Sequence, residues 1–321
     1  MKIFLSIASY SDPVLGFTLA RALATARRPE KLHFGVVDQS PAGTLAPNPD
    51  ALRPARLSYL RIDPVYARGA CWARAVAMSL YDGESWFLQL DSHMDFDLHW
   101  DERLIEQASG LLPGRRGVVL SAYPNAFVFE GDRAVRRLST SKVLTHVVKP
   151  NASFEPDHLL LGFEAHPLDM DVPVPGFHLG AGCLFAPGQF AQAFPYDPWF
   201  YFHGEEQSLA ARLYTHGWDI FHPPGLPVYH LYNTPDAGAA RRPLHWDETQ
   251  DAQRQQTWWT FEQRARFRLN ALLRNEPLGV YSLGSVRTMA DYAAFSGIDY
   301  ASKTLSERAF SAAAAASRST A

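Results

Sequence analysis

Trp86-Phe87-Leu88-Gln89-Leu90-Asp91-Ser92-His93-Met94-Asp95-Phe96 is the stretch on which the fold turns: a short apolar run ends abruptly on an acid and an imidazole two positions apart. Its length and large apolar side chains predict an interior strand of a mostly parallel sheet. Open sheets of that kind bind ligands beyond the carboxyl ends of their strands. Side chains of extended chain alternate, so Asp91 and His93 share a face and can hold one side of a divalent cation. Asp-x-His also arises by chance, and an Asp after a strand commonly caps the next helix. The surrounding sequence has to carry the choice.

Upstream, Ile3 to Ala8 reads as a first buried strand, Pro13 to Ala26 as a helix opened by Ser-Asp-Pro, and Leu32 to Asp38 as a second strand. Ser40 to Pro54, rich in proline, is a loop; Leu57 to Ile62 is a short strand, and Ala70 to Tyr81 has helical apolar spacing. Downstream, Asp101 to Leu111 reads as a helix and Gly117 to Ala122 as another buried strand, so the first part alternates as a doubly wound unit does. Glu130 to Pro175 is irregular and predicts an inserted or antiparallel segment that walls a cleft. After it come Gly180-Ala181-Gly182, a helix over Glu205 to Thr215, a strand at Asp219-Ile220-Phe221, and a polar stretch from Arg241 to Asn270 that turns helical in its second half.

The fold class is therefore α/β, a Rossmann-like mixed sheet flanked by helices with an extension. Residues 1–130 form a first β/α half ending with the Asp-x-His region and the next strand. Residues 131–300 form a second half with a C-terminal helical extension, and 301–321 a flexible tail whose Ala/Ser-rich end frays.

Composition narrows the partners. The 321 residues are 47% hydrophobic and 20% charged, enough for a full core. A net charge of -3 gives no general attraction for nucleic acid or anionic membrane, so any phosphate must be met locally. Cys71 and Cys183 are far apart and lack the short-range spacing of a zinc ribbon or CxxC pair, which suits a reducing, cytoplasmic setting. The N-terminal apolar run is too short for a signal segment and no run reaches transmembrane length.

Three further constellations bear on the Asp-x-His motif. In Tyr201-Phe202-His203-Gly204-Glu205-Glu206, two acids begin a helix behind an aromatic run; plain capping is the simple explanation, but an aromatic cleft wall would aim them at hydroxyl groups. In Pro227-Val228-Tyr229-His230-Leu231-Tyr232, a lone imidazole lies on an apolar strand; with Asp91 and His93 it completes an O,N,N set with open positions, better suited to Mn²⁺ than to Mg²⁺. In Tyr66 to Arg74, Arg68 precedes a glycine at a helix start and Arg74 lies on the helix, so a guanidinium beside free N–H groups can meet a diphosphate. GxGxxG and the P-loop are absent. These residues alone fit a metal with a diphosphate ligand, in a transferase, a metal-dependent hydrolase or a non-catalytic binding module.

Taken in order, Ser6-Ile7-Ala8-Ser9-Tyr10, Ala67 to Arg74, Leu90 to Met94, Phe202 to Glu206, Thr215-His216-Gly217-Trp218-Asp219 and Val228 to Tyr232 resemble the GlcNAc-transferase family, which includes the UDP-GlcNAc:hydroxyproline polypeptide N-acetylglucosaminyltransferases. Gly297-Ile298-Asp299-Tyr300 extends the likeness to about residues 2 to 300. The resemblance implies a GT-A fold, a UDP-sugar donor such as UDP-GlcNAc, Mn²⁺ or Mg²⁺, retention of anomeric configuration, and an acceptor hydroxyl on a protein or small molecule. It implies metal ligation by Asp91, His93 and His230, and uridine near Ala8, Ser9 and Tyr10. Arg68 would face the diphosphate, with Arg74, Gly180 and Gly182 also in the donor site. Glu205 or Glu206 would lie by the sugar or acceptor, and Glu205, Glu206 and Arg68 are the candidate catalytic residues. Asp95 departs from the basic residue many members carry there.

Overall fold

A computed structural model describes residues 1–139, 142–234, 240–254 and 256–311. The chain runs β1 (Ile3–Tyr10), α1 (Leu15–Thr25), β2 (Leu32–Gln39), β3 (Arg56–Arg61), α2 (Ala70–Met78), β4 (Trp86–Asp91), β5 (Met94–Phe96), α3 (Trp100–Leu111) and β6 (Val118–Ser121). Then follow β7 (Asn125–Glu130), β8 (Arg133–Arg137), β9 (Val143–Val148), β10 (Phe163–Leu168), β11 (Val174–Gly176), β12 (Cys183–Pro187), α4 (Phe190–Ala193), α5 (Glu205–Thr215), β13 (Asp219–His222) and β14 (Val228–His230). α6 (Trp258–Leu273), α7 (Met289–Ser296), β15 (Ile298–Asp299) and β16 (Thr304–Leu305) complete it.

The main sheet has eight strands in the order β11-β13-β6-β12-β4-β1-β2-β3. β4 is interior, parallel to β1 and antiparallel to β12. Its alternation explains its place: Trp86, Leu88 and Leu90 join the apolar layer that includes Leu15, Leu19 and Trp100, while Phe87 joins the opposite layer with Phe190 and Leu209. Both layers exclude water, which is why the run reads as continuously apolar. Trp86 stacks on Phe185 of β12 at 5.0 Å between ring centroids.

The chain leaves this sheet immediately after Asp91. Ser92 and His93 form the hop, and β5 enters a second sheet ordered β5-β14-β7-β8. Within it Met94 is registered against His230, and the Leu231 N–H donates to the His93 carbonyl at 3.0 Å. Two backbone ladders thus bring residues 91, 93 and 230 to one point. The segment expected to be irregular holds β8, β9 and β10, with β9 and β10 antiparallel.

One boundary needs correction. Residues 301–311 are no loose tail: β16 pairs with β15, Ala309 is fully buried, and the Lys303 ammonium donates to the carbonyls of Glu155 and Pro156. Ala309 belongs to the same buried cluster as Val148 of β9 and Tyr292 of α7, and that packing orders the stretch. The expected fraying of the final Ala/Ser stretch falls, from residue 312 on, outside the described residues.

Because Leu88 has no exposed surface between the flanking strands, Leu88→Ala is expected to cost about 2–5 kcal/mol. Urea unfolding should show a lower midpoint at unchanged slope, and a loss under about 1 kcal/mol would contradict the placement of β4.

Candidate functional site

Asp91, His93 and His230 each offer one ligand atom, and these atoms lie within 4.8 Å of one another. Asp91 Oδ2 is 3.2 Å from His230 Nε2 and 3.8 Å from His93 Nε2; the two Nε2 atoms are 3.0 Å apart. Whether the set suits a cation depends on tautomers. His93 Nδ1 lies 2.7 Å from Asp12 Oδ2, an acceptor, so Nδ1 carries a proton and Nε2 is the atom that faces the other two ligand atoms. A carboxylate behind a histidine is the usual way a protein fixes a metal-binding imidazole. The donor set fits a divalent ion and leaves positions for ligand oxygens.

The electrostatics agree. Burial would push Asp91 up, but the hydrogen bond with His230 and the nearby charge of Arg74 hold its carboxyl well below the usual range. Burial, joined by the neighbouring His93, lowers His230 to about 4 against the pull of Asp91. At neutral pH the site is a carboxylate beside a neutral His230 imidazole.

Two clefts meet here. One, of about 370 Å³, is lined by Ala8, Ser9 and Tyr10 at the carboxyl end of β1, by Asp91 and His93, and by Arg242, His245 and Trp246. Its walls are aromatic, with Trp246 stacked on Phe202 at 4.7 Å. The second, of about 600 Å³, is lined by Tyr123, Glu155, His178, Gly182, Glu205 and Glu206 among others. Arg74, Asp91, Phe202 and His230 border both.

Gly69 opens α2 at φ +91°, and a Cβ there would stand 2.4 Å from the Tyr201 carbonyl oxygen. Gly182 is needed for space: a Cβ would lie 2.5 Å from Asp91 Oδ2. Glu206 lines the second cleft with Oε1 accepting from the Ala181 N–H at 2.7 Å and Oε2 from the Tyr123 hydroxyl at 2.6 Å. Burial pushes Glu206 up, but His178 and these donors hold it below its ordinary value.

Two expected residues, Arg68 and Gly180, stand elsewhere, as does the departure at Asp95. Arg68 lines neither of these clefts; its exposed guanidinium lies over the Trp72 ring, in a separate hollow with Trp199 and Arg264. Trp72 and Arg74 are about 200° apart around the helix, so the stacking takes Arg68 to the face opposite Arg74. Gly180 is turned into the fold, its N–H donating to Ser121 Oγ at 2.9 Å. Asp95 is buried away from both clefts, bonded to Arg21 Nε at 2.7 Å and Arg136 Nε at 3.1 Å.

Other residues had no legible signal. Asp12 looked like a helix start, and it does accept from the Val14 N–H at 2.8 Å, but its second oxygen takes Ser92 and His93. Arg242, half-buried with Nη1 lacking a hydrogen-bond partner among the described residues, and His245 come from a stretch without periodicity.

A family model described as Glycosyltransferase (GlcNAc) matches residues 2–59 and 42–302. The chain belongs to this family. No curated protein matches the sequence. Among solved structures, GalNAc-T7 with UDP, GalNAc and Mn²⁺ aligns at TM-score 0.52 and 11% identity, covering 91% of this chain and 54% of that one. S. aureus TarS 1-349 in complex with UDP-GlcNAc aligns at TM-score 0.41 and 14% identity, covering 86% and 74%. The chain has the GT-A fold, and it spans about half the length of GalNAc-T7.

Two outcomes follow. Asp12→Asn removes the charge that fixes the His93 tautomer, and Mn²⁺ affinity should fall about 10–100-fold with the fold intact; unchanged affinity in an EPR titration would contradict the role. Burial also holds His222 near 4 and His245 near 3, and lowers His146 well below its ordinary value. His146 Nε2 accepts from the Tyr123 N–H, which a protonated ring cannot do. All are depressed below the unfolded value near 6.5, so their stabilisation is full above it and is lost as pH falls towards 4. Urea unfolding should show roughly 1–2 kcal/mol lost per such histidine between pH 7.5 and 5; a flat profile would contradict it.

Proposed function

We propose that this chain is a divalent-metal-dependent, retaining N-acetylglucosaminyltransferase that moves GlcNAc from UDP-GlcNAc to an acceptor hydroxyl. The observation that carries the reading is the convergence of Asp91, His93 and His230 at the border of two clefts. The aromatic cleft beyond β1 suits a uridine, and the larger, polar one suits the sugar and acceptor. GalNAc-T7, whose structure holds UDP, GalNAc and Mn²⁺, lends the donor and the metal support.

A bound Mn²⁺ or Mg²⁺ would supply Lewis-acid neutralisation of the charge growing on the departing diphosphate. The chain's own groups complete that neutralisation: the Arg242 guanidinium lines the same cleft and has a terminal nitrogen to give. Glu206, fixed by two donors and open to the second cleft, accepts hydrogen bonds from sugar or acceptor hydroxyls. Retention by a front-face path, with a donor phosphate oxygen taking the acceptor proton, requires no protein nucleophile. The acceptor is a hydroxyl of a protein or small molecule, with hydroxyproline, the acceptor of the enzymes this chain resembles, as the first to try. Two buried, unpaired cysteines suit the reducing cytoplasm. No helix among the described residues is long and apolar enough to cross a membrane.

The test is UDP release from a panel of nucleotide sugars, with and without Mn²⁺, followed by mass spectrometry of acceptors for added hexosamine. UDP-GlcNAc with Mn²⁺ should give turnover that rises with acceptor, and Asp91→Asn should lower it by about 10²-fold or more. Full turnover without any acceptor would identify a hydrolase instead, and unchanged turnover in Asp91→Asn would sink the metal-dependent reading.

A further inference from the structure

We propose that Glu205 is a positioning residue for the metal site: through Arg74 it turns Asp91 so that only Oδ2 faces the cation. The inference rests on the metal reading above, and it assigns Glu205 and Arg74 roles other than substrate or diphosphate contact.

The geometry is a chain of three charges. Arg74 Nη2 donates to Asp91 Oδ1 at 2.8 Å and Nη1 donates to Glu205 Oε1 at 2.5 Å. Both terminal nitrogens are therefore committed to carboxylates, and the guanidinium is 5% exposed. Although Arg74 borders both clefts, it is poorly placed to grip a phosphate. The second oxygen of Glu205 is engaged as well: Oε2 accepts from Cys71 Sγ at 3.0 Å and from the Tyr196 hydroxyl at 2.9 Å. With its side chain 5% exposed, Glu205 has neither oxygen free to attack a sugar or receive an acceptor proton.

The two adjacent acids at the start of α5 thus have opposite fates. Residues one apart on a helix differ by about 100°; Glu206 turns to the second cleft with its side chain 27% exposed, and Glu205 turns inward.

The consequence falls on Asp91. Oδ1 is held by Arg74, and Oδ2 alone is directed at His230 and His93. Gly182 leaves the room that Oδ2 needs. Asp91 then ligates through one oxygen only, which keeps positions open for the diphosphate. Without Glu205, Arg74 would be a buried cation with one counter-charge fewer and no fixed orientation.

The test measures Mn²⁺ binding to the full chain without nucleotide, by EPR of free Mn²⁺, and UDP binding without metal, by calorimetry. Glu205→Gln keeps the shape but turns an amide towards two donors; Mn²⁺ affinity should fall about 10-fold or more, with metal-free UDP affinity within about twofold of the parent. Arg74→Met should do the same, and Arg74→Met/Glu205→Gln should bind Mn²⁺ no more weakly than Arg74→Met alone. Unchanged Mn²⁺ affinity in Glu205→Gln, additive losses in the double variant, or a tenfold loss of metal-free UDP affinity in Arg74→Met would each overturn the proposal. If the parent protein binds no Mn²⁺, the metal reading fails by itself, and crystal structures of the parent and Glu205→Gln judge the clamp. Release of Asp91 Oδ1 from Arg74 in the variant supports it; an unmoved Asp91 refutes it. Should Glu205→Gln not fold, Tyr196→Phe, which removes one Glu205 partner and no charge, replaces it with the same readouts and a smaller expected Mn²⁺ shift.

Discussion

The Asp91 carboxylate is the constraint around which the site is arranged. A partly buried negative charge is costly unless it is paired and hydrogen-bonded. Here Arg74 takes one oxygen, and His230 and His93 face the other. Each of those groups needs support in turn, from Glu205 behind Arg74 and from Asp12 behind His93. The site is a network of charges that satisfy one another, and it stands at the end of the strand that both apolar layers grip.

Its position is a matter of backbone as much as of side chains. β4 belongs to the large sheet and β5 to the small one, so Asp91 and His93 sit on either side of the hop between them. The β5–β14 ladder then fixes His230 opposite Met94. An edge shared by two sheets is stiff in the sense that neither ladder can slip by one residue without turning its side chains over. Main-chain bonding brings the three residues to one point before any ligand arrives, and the groups behind them turn their side chains. The Gly-rich phosphate loops of other doubly wound proteins have no counterpart here.

Much of this was legible in the chain. The continuous apolar run reads as a buried strand and is β4, although Asp-x-His by itself also fits chance or a helix cap, and α5 begins and ends where its spacing predicts, at Glu205 and Thr215. The lone His230 on its apolar strand reads as a third donor because it completes an O,N,N set with Asp91 and His93, and its strand pairs with the one after His93. What stayed hidden was long-range or rotational. Asp12 looked like a simple helix start because its capping bond is local, whereas its bond to His93 spans 81 positions. Arg68 and Arg74 look equivalent in sequence; which one enters the cleft depends on how α2 is rotated after Gly69. Gly180 and Gly182 also look equivalent, yet one packs inward and the other clears space for Asp91. Arg242 and His245 lie in a stretch with no period from which to read a direction.

The central claim is that Asp91, His93 and His230 together hold a divalent cation against a nucleoside diphosphate. Pulsed EPR on the protein loaded with Mn²⁺ and UDP tests it most directly. The account predicts nitrogen couplings from two histidines, one lost in His93→Ala and one in His230→Ala, together with phosphorus coupling from the diphosphate. Mn²⁺ showing phosphorus but no protein nitrogen would contradict it.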